Sequence, residues 1–78
     1  MKNYKPVIIE WVDSKGSTSG WEHLEDVEPI LPAECASIGF LFEDKKEYKT
    51  LLQSVGSGQI LGRITIPTRA IKRITKLR

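Results

Sequence analysis

The chain has 78 residues, with twelve Lys and Arg against ten Asp and Glu, one His, one Cys, and 40% hydrophobic residues. This length predicts one small domain over 1–78, too small for a catalytic domain with its own deep cleft and small enough that self-association is expected. A single cysteine excludes a disulfide framework and a thiolate-rich zinc site.

The apolar runs are short, as in Ile38–Phe42 with Gly39 inside, so no transmembrane helix is expected. Met1-Lys2-Asn3-Tyr4-Lys5-Pro6 has a positive start but no apolar run after it, unlike a secretory signal. The expected compartment is the cytoplasm. Net charge hides an asymmetry. Residues 1–62 hold six lysines against all ten acids, a balance of −4, whereas 63–78 hold six basic residues and no acid, a balance of +6. An anion-facing surface, self-attraction between copies, or simply a solvated basic strand would each produce this split.

Val7-Ile8-Ile9-Glu10-Trp11-Val12 is β-branched and aromatic, follows Pro6, and predicts the first strand with Val7, Ile9 and Trp11 on one face. Ser14 to Gly20 is a flexible polar connection. In Trp21 to Leu31 the three-residue spacing of Trp21, Leu24 and Val27 fits one or two helical turns that Pro29 and Pro32 cut short. The expectation is an irregular segment laying Trp21 and Leu24 on the core.

Ala33 to Glu43 alternates as a strand, with Ala36, Ile38, Phe40 and Phe42 on one face and Cys35, Ser37, Gly39 and Leu41 on the other. Gly39 inside it marks a bulge or a close approach by another group. Glu43 to Lys46 is a charged turn, Glu47 to Val55 the next strand, and Gly56-Ser57-Gly58 a second turn. Gln59 to Ile66 follows, with Ile60, Gly62, Ile64 and Ile66 expected inward. Pro67 then breaks the strand, and Ile71 to Leu77 resumes it after a single helical turn; a C-terminal helix from Thr68 is the alternative. The fold class is mainly β: five strands in one strongly bent sheet, or a barrel resembling the Sm-like type at the proline corner.

No catalytic constellation emerges, and a non-enzymatic protein is expected. His23 and Cys35 lie in separate elements, and Cys35 sits on a strand where an inert thiol is the usual occupant. Glu22, His23, Glu25, Asp26 and Glu28 lack the Asp/Asn and Gly offsets of a hard-metal loop, and no cofactor is implied. Gly56, Gly58 and Gly62 lie between two strands, not between a strand and a helix as a phosphate loop requires. Binding remains: Arg63, Arg69, Lys72 and Arg73 offer cations for phosphate, and Trp21, Tyr48 and His23 offer stacking surfaces. Trp11 and Trp21 suit a core better than a ligand platform.

Ile9-Glu10-Trp11-Val12-Asp13, Gly20-Trp21, Cys35-Ala36-Ser37-Ile38-Gly39-Phe40 and Ile66-Pro67 with Ile71 and Ile74 together resemble a group of short phage- and prophage-encoded proteins. The resemblance covers most of the chain and carries no catalytic signature. It implies an accessory protein acting in the host bacterial cytoplasm, some such proteins being compact oligomers that enclose a nucleotide messenger of bacterial immunity. On that reading Arg69 and Arg73 would meet phosphate, Trp21 would stack on a base, and His23 and Ser37 would supply polar contacts. Two other readings stay open: an inhibitor that binds a host protein through Trp21–Glu28, and a small barrel whose basic end tracks a nucleic-acid backbone, with affinity falling steeply with salt.

Overall fold

A computed structural model describes residues 3–17 and 20–77. Met1, Lys2, Thr18, Ser19 and Arg78, which belong to the expected N-terminal segment, polar connection and basic tail, lie outside the described residues. Five strands, β1 (Pro6–Asp13), β2 (Ala33–Asp44), β3 (Tyr48–Val55), β4 (Ile60–Pro67) and β5 (Ile71–Lys76), form one antiparallel sheet in the order β4-β3-β2-β1-β5. Two single 3-10 turns, Leu24–Asp26 and Thr68–Ala70, accompany them, so the proline corner leads into a strand and not a terminal helix. No helix among the described residues is long and apolar enough to cross a membrane.

The sheet bends because β2 changes partners along its length. Ala33 to Phe40 pair with β1, whereas β3 pairs only with Phe40 to Asp44. Gly39 sits at the handover. A Cβ there would lie 2.8 Å from the Leu52 carbonyl oxygen and 3.1 Å from the Leu51 Cβ, so only glycine permits this approach. Register shifts between Leu41 and Glu43, and between Glu10 and Trp11, strengthen the local twist. As a result Val7 and Ile9 of β1 share one buried cluster with Leu51 of β3 and Ile66 of β4. In a flat sheet β1 and β4 would stand about 14 Å apart, beyond the reach of these side chains. The sheet therefore folds over on itself. Trp11, Leu41, Ala70 and Ile71 line the rim of the cluster.

The curl stops short of closure: β4 and β5 are the two edges, and no hydrogen-bonded ladder joins them. Of the two expected architectures, the bent open sheet is the one observed. The core-facing set on β2 is Cys35, Ser37, Gly39 and Leu41, and Ile38 on the opposite face is 69% exposed. On β4 only Ile66 of the expected inward residues is buried; Ile60 and Ile64 are exposed, because that part of the strand has β3 beside it and nothing over it. Buried Thr50 is satisfied across the β3–β4 pair by the Thr65 hydroxyl at 2.8 Å.

Trp21 and Leu24 do not lie on the core. They stand in an arm, Gly20 to Pro32, all of whose residues are exposed. The radius of gyration is 16.7 Å over a longest extent of 57 Å, against about 11.5 Å for a compact chain of this length. The close approach at Gly39 yields a direct test. Gly39→Val should lower stability by about 1–3 kcal/mol, read as a reduced urea midpoint with unchanged slope. An unchanged midpoint would show that the Leu52 backbone is not held against this position.

Candidate ligand-binding surface

Beyond Phe40 and Leu52, β2 and β3 part company, and a cleft of about 370 Å³ opens between them. Ser37, Ile38, Leu52, Gln53, Arg63 and Ile64 line it. Gly62, with φ +67°, makes room for the Gln53 amide: a Cβ there would lie 2.7 Å from Gln53 Oε1. The Trp11 indole Nε1–H donates to Ser37 Oγ at 3.0 Å. That bond occupies one lone pair of the hydroxyl and leaves its own proton to donate. Arg63 forms no ion pair with another described residue. The cleft thus combines apolar walls with a guanidinium, an amide and a hydroxyl, a set suited to a partly apolar anion.

The basic tail is less free than its sequence implies. Arg73 Nε donates to Glu10 Oε2 at 2.6 Å, directly across the β1–β5 ladder, and Lys72 Nζ donates to Glu34 Oε1 at 2.8 Å. The hydrogen bond from Arg73 holds the Glu10 carboxyl below the ordinary 4.5; desolvation opposes it, and the charges of Arg73 and Lys72 add to the lowering. Lys72 does the same to Glu34, and Glu34 in turn raises Lys72. An anion at Arg73 must compete with Glu10. Arg69, exposed in the 3-10 turn at the β4–β5 corner, and Lys76 have no ion-pair partner among the described residues. Beside Arg69, the Thr68 hydroxyl is buried without a partner among the described residues.

The third component is the arm. Trp21 is fully exposed, Leu24 is 93% exposed and Leu31 74%. His23 precedes the 3-10 turn, which is held by Asp26 N–H to the His23 carbonyl at 2.9 Å. The legs of the arm flank a separate cleft lined by Lys15, Ser17, Pro29 and Leu31.

The five residues singled out from sequence are therefore dispersed: Trp21 and His23 on the arm, Ser37 in the β2–β3 cleft, Arg69 at the corner, Arg73 on β5. Neither of these two clefts is lined by more than one of them. Gln53 was not among the candidates, whereas Arg63 stood among the four candidate cations without a part in the nucleotide reading; its signal was its place at the start of the acid-free segment after Gly62. Among the described residues no group of three or more His, Cys, Asp or Glu is arranged to hold a metal, and the Cys35 thiol faces the Ala33 carbonyl at 3.8 Å. Comparison with known protein families, with curated proteins and with solved structures finds no match to this chain.

The ion pairs carry a pH dependence of defined sign. Glu10 and Glu34 are lowered by folding, so their contribution to stability is present above the ordinary carboxylate range and is lost as pH falls through the lowered values. In a carboxyl ¹³C NMR titration, Arg73→Gln should return Glu10 toward 4.5 while Glu34, held by Lys72, stays lowered. A Glu10 titration that ignores the substitution would show the pair unformed in solution.

Proposed function

We propose that this chain is a non-enzymatic, phage-type binding protein that sequesters an anionic, nucleotide-derived signalling molecule of host immunity. In this reading it acts as an oligomer in the bacterial cytoplasm. One observation carries the proposal: the stacking ring and the unpaired guanidiniums are uncovered, yet they do not converge within one protomer. Trp21 is bare, Arg63 and Arg69 lack ion-pair partners among the described residues, and the three lie on an arm, a strand and a corner. A site for phosphate plus base would then be completed between copies, as suits a domain too small to enclose a ligand itself. Arg69, and Arg73 on exchanging its carboxylate, would grip phosphate; Trp21 would stack; His23 and Ser37 would add polar contacts.

The nucleic-acid reading loses support from the two internal ion pairs, which interrupt the basic stripe at Lys72 and Arg73. The protein-inhibitor reading keeps one specific observation in its favour. The arm presents Trp21, Leu24 and Leu31 beside Glu22, Glu25, Asp26 and Glu28, an apolar and acidic surface fit for another protein.

Native mass spectrometry of protein purified from bacteria producing nucleotide immune signals tests the proposal. The expected result is an oligomer carrying an intact nucleotide at fixed stoichiometry. Arg69→Ala should weaken capture about tenfold to a hundredfold, the usual effect of deleting a charge-assisted hydrogen bond. A bare protein from cells that contain the signal would overturn capture, and a chemically altered nucleotide would overturn the non-enzymatic reading.

A further inference from the structure

We propose that the arm Gly20–Pro32 is a self-association element that seats on the β2–β3 cleft of a second copy of this chain. This deepens the capture reading, on which it rests for biological purpose but not for its physical basis. Two facts make the arm a docking element. Trp21 and Leu24 are almost entirely in water and Leu31 is 74% exposed, although an indole ring alone offers roughly 150–250 Å² of contact area. Together these side chains approach the few hundred Å² at which an exposed apolar patch marks an interaction surface.

Charge identifies the occupant of the other side. The arm carries Glu22, Glu25, Asp26 and Glu28 with no Lys or Arg, and none of the four forms an ion pair among the described residues. The same chain carries the complement. In the cleft, Arg63 has no ion-pair partner among the described residues, and it lies beside exposed Ile38 and Ile64. A cation flanked by apolar walls matches an aromatic ring flanked by carboxylates, through cation–π contact at the ring and charge pairing around it. The cleft, of about 370 Å³, is an open groove along which such a ring would lie. One protomer thus displays both halves of a contact, and a second copy supplies the missing partner to each.

Sedimentation of ligand-free, refolded protein over a concentration series tests this. The wild type should self-associate. The double substitution Trp21→Ser with Leu24→Ser should weaken association at least tenfold with an unchanged circular dichroism spectrum, since neither side chain is buried. Glu25→Lys with Asp26→Lys, and Arg63→Glu, should each associate poorly alone and regain association when mixed. A wild type that stays monomeric at every concentration, or association indifferent to the arm substitutions, would overturn the proposal. Capture fails separately: association through the arm with no nucleotide retained removes the capture reading and leaves the docking intact, whereas nucleotide held by a monomer overturns the docking and the completion of the site between copies while leaving nucleotide binding itself.

Discussion

The close approach of the β2 backbone to Leu52, possible only because residue 39 has no side chain, is the constraint on which the rest of the structure depends. It lets β2 hand over from β1 to β3 within one residue. That handover curls five short strands enough to bring Val7 and Ile9 onto Leu51 and Ile66. Without it the sheet would be flatter, and a chain of this size would have no buried cluster to offset the entropy of ordering its backbone. The same parting of β2 from β3 that makes the bend also opens the cleft at Ser37, Gln53 and Arg63. Fold and candidate site share one cause.

A second consequence is incompleteness. The cluster is small, two sheet edges stay unpaired with each other, and an arm carrying a bare tryptophan projects from the sheet. A free-standing domain under selection for solubility alone would shed such features. Electrostatics follows the same division. Lys72 and Arg73 satisfy Glu34 and Glu10 within the protomer, while the carboxylates of the arm and the guanidiniums of Arg63 and Arg69 remain unpaired among the described residues.

Much of this architecture was legible in the sequence, and the reasons are local. Alternation of Val7, Ile9 and Trp11 specifies one face of β1, Gly39 announces a close approach, and Pro67 fixes the corner before β5. What escaped notice is non-local. Alternation on β4 marks Ile60, Ile64 and Ile66 alike, but only a tertiary neighbour decides that Ile66 alone is covered. Hydrophobicity says that Trp21 belongs against something without saying whether that surface is in the same molecule. The Glu10–Arg73 pair joins residues 63 positions apart, so the sequence shows a free phosphate ligand where the fold has an occupied one. Arg63 shows in the sequence only as one of four neighbouring cations; its place in a cleft beside Gly62 and Gln53 is a product of the fold.

On the docking proposal, a second copy finishes this protomer by covering Trp21. Fluorescence of a Trp11→Phe chain, in which Trp21 is the only indole, tests it most directly. With rising protein concentration the emission should move from the water-exposed range to the blue and become resistant to acrylamide quenching. Emission that stays red and fully quenchable at every concentration would mean that no second copy covers the ring, and the account of an incomplete protomer would fail.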